Sequence, residues 1–329
     1  MNTNCVVLTH PDCLEHNTGA GHPENPSRLK TVLDALQSAS ISGIEISEAP
    51  MASEADILQC HDVAYLEFVK NTLPDDNQTT ANLDEDTKVS KNSMNAALRG
   101  AGAALKAVDL VVSGKTKHVF CATRPPGHHA LYDGSCGFCI FGNVAIAAKH
   151  AIKKHGLSRV AIIDFDVHHG NGTQDILKQD GRENDNENIF IVSLHEKGLW
   201  PYNNEENEIC TGTMLNIPVP RDSQSRFYYD AFNDKILPAL EQFKPELIII
   251  AAGFDAHKED PPQSALFNDP PGKQNLLEDD YDWMTRQLID IAEKHSAGRV
   301  VSVMEGGYNV NVLARCVVSH VKTLASYKV

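Results

Sequence analysis

The sequence predicts an α/β protein built on a single, mostly parallel β-sheet with helices on both faces. Apolar runs of strand length alternate with helical stretches along the chain, which is typical of βαβ units. The least ordinary polar residues lie just past the carboxyl ends of these runs, where open α/β sheets bind their ligands. No shift in composition divides the 329 residues, so we expect one domain over residues 1–329.

The candidate strands are residues 5–9, 118–122, 160–165, 189–194, 247–252 and 300–304. The candidate helices are residues 26–38, 93–113, 143–155, 225–243 and 279–295. The first helix is expected to begin after Asn25, a suitable capping residue that is followed by Pro26 in the first turn. The longest irregular pieces are residues 73–90, 181–188 and 256–278.

The charge balance is acidic, with 29 Lys and Arg against 44 Asp and Glu and a net charge of -15. Such a surface repels nucleic acid and anionic membranes, whereas it attracts cationic ligands such as lysine-rich peptides or polyamines. The first residues resemble no export signal and no apolar run reaches transmembrane length, so we expect a cytoplasmic protein. The eight cysteines are expected to be reduced, and the C-x-x-C pair at 136 and 139 to be structural.

A cluster of metal-ligating residues follows the run at residues 160–165. Asp164, Asp166 and His168 share one face if the extended geometry persists past the strand. Carboxylate and imidazole ligands together suit zinc and, less tightly, iron or manganese. The alternative, a polar strand end that bonds nearby loops, is weaker because three ionisable groups after so apolar a strand need a compensating charge.

Three further segments follow strands and can converge on the same place. They are RPPGHH at residues 124–129, GFDAH at residues 253–257 and EGGY at residues 305–308. A catalytic zinc takes three protein ligands and leaves one position open, and Asp255 is the best third ligand beside Asp166 and His168.

The remaining residues of these segments suit proton transfer. The tandem pair His128 and His129 suggests acid and base roles, and Asp164 is expected to orient His128. Tyr308, behind two glycines, is suited to donate its phenolic proton to an oxyanion. Together these groups indicate metal-assisted hydrolysis of an amide.

The chain resembles the histone deacetylase and acetylpolyamine amidohydrolase family, whose members share the arginase-deacetylase fold. The resemblance runs from about residue 10 to residue 308. It rests on several long motifs in the family's order: GHPE at residues 21–24, LDEDT at 83–87, RPPGHHA at 124–130, GFCIF at 137–141, NVAIA at 143–147, DFDVHHGNG at 164–172, SLH at 193–195, AGFD at 252–255 and EGGY at 305–308.

The resemblance implies specific roles. Zinc would be bound by Asp166, His168 and Asp255, with a water held by His128 and His129. In this scheme His129 is the general base and later the proton donor, and Tyr308 polarises the acetyl carbonyl. The set implied for a potassium ion is Asp164, Asp166, His168, the Ser193 hydroxyl and the Leu194 carbonyl. The set implied for the substrate tunnel is Gly137, Phe138 and Trp200, although ordinary core packing would also explain the two aromatic residues.

Two positions resemble the class II branch and its bacterial relatives. Asn171 stands where class I members carry an aspartate, and Glu305 replaces a third glycine. Because Asn171 carries no charge, the imidazole of His129 should be less basic than it would be beside a carboxylate.

The substrate is expected to be cationic and acetylated, either an acetyl-lysine peptide or an acetylpolyamine, and a homo-oligomer is left open. Polyamine-selective relatives place a glutamate at the tunnel rim, where this chain has Pro262. This weakens the polyamine alternative, although Asp84, Glu85 or Asp86 could supply a rim charge from the other side.

Two other functions stay open. An arginase-like ureohydrolase would hold two manganese ions, and its ligand set would be Asp164, Asp166, His168, Asp255, His257 and Asp260. That reading leaves the histidine pair and Tyr308 without roles. A non-catalytic binder of acylated ligands or acetoin-related metabolites would be expected to have lost one of the catalytic groups, and here all are present.

Overall fold

A computed structural model describes residues 4–75, 77–179, 188–202, 209–211, 213–260 and 272–326. The strands are β1 (Cys5–Thr9), β2 (Ile44–Glu48), β3 (Ala81–Asn82), β4 (Lys88–Val89), β5 (His118–Cys121), β6 (Val160–Asp164), β7 (Ile189–Glu196), β8 (Ile209–Thr211), β9 (Met214–Val219), β10 (Leu247–Ala252) and β11 (Val300–Met304). The helices are α1 (Pro26–Ala39), α2 (Glu54–Ile57), α3 (Val63–Thr72), α4 (Ser93–Val112), α5 (Asn143–His155), α6 (Asn171–Gln179), α7 (Ser225–Ala231), α8 (Leu237–Phe243), α9 (Glu278–His295) and α10 (Val310–Ser326).

The main sheet has nine strands in the order β2-β1-β5-β11-β10-β6-β7-β9-β8. Eight of them run parallel, and β8 pairs antiparallel with β9 at one edge. The predicted mostly parallel sheet is therefore confirmed. The strands β5, β11, β10 and β6 are neighbours at its centre, so their carboxyl ends open on one shared crevice.

Successive residues of the central strands face opposite layers, as expected for strands buried on both sides. Phe120, Ile163 and Ile250 belong to the core cluster that also includes residues of α1, α9 and α10. Their neighbours Val119 and Ile162 belong to the cluster that also includes residues of α4 and α5. Helices thus cover both faces, as predicted.

The predicted strands and helices are all present, with small differences at their ends. The strand predicted at residues 160–165 ends at Asp164, and the helix predicted at 225–243 is interrupted by a π-helical turn at Phe232–Ile236. Several elements were not predicted, namely β2, β3, β4, β8, β9, α2, α3, α6 and α10. The edge strand β2 is mostly exposed or half-exposed, so it lacks the continuous apolar run that marks the central strands.

None of the described helices has both the length and the apolar character needed to span a bilayer. The cysteines whose side chains the structure describes are all unbridged, as expected: Cys5, Cys13, Cys60, Cys121, Cys136, Cys139 and Cys316.

One glycine of α4 allows the segment before α2 to lie directly on the helix. A Cβ atom on Gly102 would overlap the carbonyl oxygen of Pro50 and lie 2.7 Å from the backbone nitrogen of Ala52. A Cβ atom on Gly100 would lie 3.4 Å from the nearest atom, the flexible end of the Asn143 side chain. We predict that Gly102→Ala lowers the free energy of unfolding by about 2 kcal/mol, because backbone must move to accept it.

The matched control is Gly100→Ala in the same helix. Alanine favours a helix over glycine by up to about 1 kcal/mol, so this variant should be neutral or slightly more stable. Urea denaturation of both variants measures the difference. Equal stability of the two would contradict the packing of residues 50–52 on α4.

Candidate active site

The segment after β6 is shaped by two successive turns in which a carboxylate accepts a backbone N–H two residues ahead. Asp164 Oδ1 accepts from the N–H of Asp166 at 3.1 Å, and Asp166 Oδ1 accepts from the N–H of His168 at 2.9 Å. Such turns are a common use of aspartate in loops. The strand has already ended at Asp164, so these turns, rather than the strand alternation considered from the sequence, bring the three side chains together.

Asp166, His168 and Asp255 form a buried triad of metal-ligand type. His168 Nδ1 lies 3.0 Å from Asp166 Oδ1 and 3.2 Å from Asp255 Oδ2, and one ligand atom from each residue lies within 4.8 Å of the others. Asp255 follows β10 and is fixed by the N–H of Val167, which donates to its Oδ1 at 2.9 Å. Two carboxylates and one imidazole are a donor set that suits zinc.

The surroundings of the triad fit a cation. Asp255 Oδ2 is buried and accepts no hydrogen bond from the described residues, so the oxygen that faces His168 has spare capacity. Gly253 and Gly306 line the carboxylates so closely that a Cβ atom on either would overlap Asp166, and on Gly306 also Asp255. The N–H of Gly306 donates instead to Asp166 Oδ2 at 2.8 Å. A buried, incompletely satisfied carboxylate is costly without a positive charge.

The pKa values of the triad reflect an excess of negative charge. Burial alone would lower the pKa of His168, but its contacts with the carboxylates of Asp166 and Asp255 outweigh burial and raise that pKa to about 10. Burial, together with the charge of Asp166, raises the pKa of Asp255. A proton on His168, or a metal ion held by the triad, can balance these carboxylates.

The tandem histidines have different partners. His128 Nδ1 lies 2.9 Å from Asp164 Oδ2, whereas His129 Nδ1 lies 2.6 Å from the side-chain oxygen of Asn171 at the start of α6. The two rings are tilted by 41° with their centroids 3.8 Å apart, and both are buried. One imidazole thus faces a carboxylate and its neighbour faces a neutral amide.

This difference separates their protonation states. Burial opposes a charge on His128, but the carboxylates of Asp166 and Asp164 raise its pKa well above the ordinary value. Burial, and the charges of His128 and His168, lower the pKa of His129 well below the ordinary value. His128 is suited to remain cationic, and His129 is suited to accept a proton.

Aromatic rings lie around the mouth of this site. The ring of Trp200 lies edge-on to His129 at 4.8 Å between centroids, and the ring of Phe138 lies edge-on to Tyr308 at 6.0 Å. Phe138 and Trp200 are half-buried and belong to no core cluster of the described residues, so ordinary core packing does not account for them. A Cβ atom on Gly137 would overlap both His129 and Trp200, so only glycine fits between them.

Tyr308 is positioned by a hydrogen bond to its backbone and by a cation above its ring. Its N–H donates to Asp260 Oδ1 at 2.8 Å, and the Arg28 guanidinium lies 5.0 Å above its ring. Burial raises the pKa of Tyr308 well above the ordinary value, although the charge of Arg28 opposes the shift. The phenol therefore keeps its proton and can donate it in a hydrogen bond.

The acidic turn before α4 supports the Phe138 loop. Asp86 Oδ1 accepts from the N–H of Gly137 at 3.0 Å, and the Thr87 hydroxyl accepts from the N–H of Phe138 at 3.2 Å. Asp84 accepts from the Ser135 hydroxyl in the same loop. Phe138 has φ 67°, a left-handed conformation that costs a non-glycine residue about 1 kcal/mol or more. The acidic turn therefore fixes a strained wall residue.

Glu305 has a structural role that sequence reasoning missed. Its Oε2 accepts from the N–H of Gly127 at 2.7 Å and from the N–H of His128 at 3.2 Å, so it holds the histidine loop from behind. Burial raises the pKa of Glu305 to about 7, against the opposing charge of His128. In the sequence, Glu305 is notable only because it replaces the third glycine of the family motif. The sequence does not indicate which backbone N–H groups the Glu305 side chain contacts.

A second buried network, also missed, anchors both ends of the site. Glu24 accepts from Arg124 at 2.6 Å and from Arg28 at 3.2 Å. Arg124 begins the RPPGHH segment, and Arg28 Nε donates to the carbonyl oxygen of Gly307 at 2.7 Å. All three charged side chains are fully buried, so each depends on the others. The motifs had included Glu24 and Arg124 without a role.

Other predicted residues lie apart from the triad. His257 Nε2 lies 3.3 Å from Glu278 Oε2, and its Nδ1 accepts the N–H of Glu259. Asp260 is occupied by the N–H groups of Tyr308 and Asn309. In the described part of the chain, neither His257 nor Asp260 joins Asp166 in a group of metal-ligand geometry, as the arginase alternative requires.

Two of the residues named for potassium lie on β7, next to β6. Ser193 pairs with Asp164 across β6 and β7, and its hydroxyl accepts from the N–H of Gly170 at 3.4 Å. Leu194 follows it in the same strand. Pro262 lies outside the described residues.

Comparison with known proteins finds relatives along nearly the whole chain. Residues 22–324 match the histone deacetylase domain family. The "Histone deacetylase-like amidohydrolase" of Pseudomonas aeruginosa is 36% identical over 317 residues, which are 94% of this chain and 78% of that protein. The "Type-2 histone deacetylase 2" of Dictyostelium discoideum is 34% identical over 97% of this chain, which spans about 20% of that longer protein.

A solved structure agrees with these relatives. The crystal structure of the HDA15 HD domain superimposes with a TM-score of 0.85 and is 28% identical. The match covers 98% of this chain and 90% of that one, so it includes the central sheet and the loops at its carboxyl ends.

The contact between His129 and Asn171 leads to a pH prediction. A carboxylate in place of the amide would favour the charged imidazole, so Asn171→Asp should raise the pKa of His129. A base acts only above its pKa, so the acid limb of kcat/KM for an acetyl-lysine peptide should move to higher pH. An acid limb that stays in place would contradict the proposed role of His129. Asn171→Gln serves as the uncharged control.

Proposed function

The chain belongs to the histone deacetylase domain family, and from that premise we propose that it is a zinc-dependent amidohydrolase that removes acetyl groups from the lysine side chains of proteins or peptides. The observation that carries this proposal is the convergence of the Asp166, His168 and Asp255 triad with the histidine pair and Tyr308. His128 Nε2 lies 3.7 Å from Asp166 Oδ2, and the rings of His129 and His168 have their centroids 5.8 Å apart. Tyr308 follows Gly306, whose N–H donates to Asp166. A metal triad alone suits many hydrolases. A neutral histidine beside it, with a protonated phenol in the adjoining wall, suits cleavage of an amide.

Zinc is the proposed ion because two carboxylates and one imidazole fit it and leave a position open for the reacting molecules. When bound, it would act as a Lewis acid that polarises the acetyl carbonyl and makes water more acidic. Asp166, His168 and Asp255 would hold it, and the N–H groups of Val167 and Gly306 keep the two carboxylates in place.

His129 is the proposed general base. Its buried, neutral imidazole takes a proton from the attacking water and later gives it to the departing amine. Asn171 holds Nδ1 of this ring, which leaves Nε2 as the proton-transfer atom. His128 stays cationic against Asp164 and favours the negative charge that develops on the carbonyl oxygen.

Tyr308 is the proposed second donor to that oxygen. Its backbone is fixed by Asp260, and its phenol is kept protonated by burial. Phe138 and Trp200 would enclose the aliphatic chain of the substrate and exclude water from the reacting bond. A narrow aromatic passage admits the unbranched end of an acetylated amine more readily than a folded peptide backbone.

Deacetylation of polyamines is the runner-up function. The net charge of -15 suits both kinds of cationic substrate. Asp84 and Asp86 are engaged in supporting the Phe138 loop, and of that turn only Glu85 is exposed. Glu85 is thus the one carboxylate of that turn available to a polyamine, and the preference for acetyl-lysine rests on Pro262, which stands where polyamine-selective relatives carry a glutamate.

We also propose that a potassium ion binds near Asp164 and Ser193, that residues 1–329 form a single domain and that the protein is cytoplasmic. Self-association is left open.

The function is tested by comparing kcat/KM for an acetyl-lysine peptide, N-acetylputrescine and N8-acetylspermidine with zinc-loaded protein. We predict the highest value for the peptide, and loss of all three activities when a chelator removes the metal. A higher value for either polyamine would make the runner-up correct. Urea production from arginine with manganese would instead support the arginase alternative.

The matched variant is Tyr308→Phe, which removes one hydroxyl from the same ring. Loss of a donor to a developing oxyanion lowers kcat by about 10²–10³-fold. Zinc content and melting temperature should match those of the unaltered protein. An unchanged kcat would remove Tyr308 from the mechanism.

A further inference from the structure

A second group of metal-ligand geometry lies outside the active site. Among the described residues, two sets of three or more His, Cys, Asp or Glu side chains have ligand atoms within 4.8 Å of one another. One is the triad already described, and the other consists of Asp109, His150 and His155. Asp109 lies in the last turns of α4, and the two histidines lie in α5.

This second group is remote from the catalytic crevice. The loop that carries the tandem histidines meets the first residue of α5, Asn143, whereas His155 is the last residue of that helix and leads towards the amino end of β6. A helix of 13 residues is about 20 Å long at 1.5 Å per residue. An ion bound at its far end would not touch the acetylated substrate.

The geometry of the second group is at least as compact as that of the first. His150 Nε2 lies 2.9 Å and His155 Nε2 lies 2.7 Å from Asp109 Oδ1, compared with 3.0 Å and 3.2 Å in the catalytic triad. Two imidazole nitrogens and one carboxylate oxygen form a donor set that binds zinc and its neighbours in the transition series.

An ion can reach this second group from the solvent. The side chain of His150 is 8% exposed, that of His155 is 19% exposed and that of Asp109 is 33% exposed, so the cluster opens to solvent on the aspartate side. Water can complete the coordination from that side.

One neighbouring cation competes for the same carboxylate. Lys154 Nζ lies 3.1 Å from Asp109 Oδ1 and 3.0 Å from Oδ2, and its side chain is 55% exposed. A simpler account is therefore an ionic network that joins α4 to α5 without any metal. Removal of the Lys154 amine distinguishes the two accounts. In a purely ionic network it would weaken the contact between the helices. In a metal site it would free the carboxylate of Asp109 to bind the ion.

We propose that Asp109, His150 and His155 form a second metal-binding site, selective for zinc-like transition ions, that joins α4 to α5 at the end of the sheet opposite the active site. It does not depend on the proposed deacetylase activity. Its function is structural, since it connects two helices that pack on the same face of the sheet.

The test is zinc stoichiometry by equilibrium dialysis and elemental analysis of the full chain after removal of all metal. We expect two zinc ions per chain for the unaltered protein and one for His150→Ala and for His155→Ala. Both substitutions lie far from the catalytic residues, so deacetylation should persist in these variants. A single zinc in every protein, or a second zinc that survives both substitutions, would overturn the proposal.

Lys154→Met and Lys153→Met form a matched pair of exposed lysine substitutions on adjacent residues. Lys154→Met should tighten the second zinc site several-fold, whereas Lys153→Met should leave it unchanged. In addition, zinc should raise the melting temperature of Asp166→Asn, in which only the second site is complete, but not that of the double variant Asp166→Asn/His155→Ala. Absence of a second zinc from Lys154→Met as well as from the unaltered protein would overturn the proposal and identify an ionic network instead. If Asp166→Asn does not fold, the zinc stoichiometries of the histidine variants still show whether the second metal site exists.

Discussion

The site depends on the compensation of buried carboxylates. Asp164, Asp166 and Asp255 are all buried at the ends of neighbouring strands, and burial of an unpaired carboxylate costs several kcal/mol. Backbone N–H groups and His128 compensate part of this negative charge, and His168 compensates more. One oxygen of Asp255 still accepts no hydrogen bond from the described residues. A divalent cation at this position would complete the compensation, so the same feature explains both the stability of the loops and their chemistry.

The paired histidines take their separate roles from this charge. The carboxylates attract a proton to His128, and a charged His128 then discourages a proton on His129, whose ring lies 3.8 Å away. Asn171 adds a neutral hydrogen bond where a carboxylate would reverse the effect. Two identical side chains thus become a fixed cation and a proton acceptor because their neighbours differ, and Glu305 fixes the loop that carries them.

Much of this could be predicted from the sequence, because the central strands are continuous apolar runs and the chemically unusual residues follow them directly. Asp166, His168 and Asp255 lie together for that reason. The strand alternation considered for residues 164–168 was not the cause, since turns built by the aspartates themselves position these residues. Glu305, Asp260 and Arg28 act through backbone groups that are distant in sequence, and no residue pattern shows such contacts. The contacts of Asp109 with the histidines of α5 also join residues distant in sequence, so they could not be predicted either.

The most direct test is a crystal structure of the zinc-loaded protein with anomalous data collected on both sides of the zinc absorption edge. The account predicts one zinc in the catalytic crevice, bound by Asp166, His168 Nδ1 and Asp255 Oδ2 at about 2.0–2.2 Å. Tyr308 and His129 should face its open side. Two ions in the crevice, with His257 or Asp260 among their ligands, or no anomalous peak between Asp166 and Asp255, would contradict it.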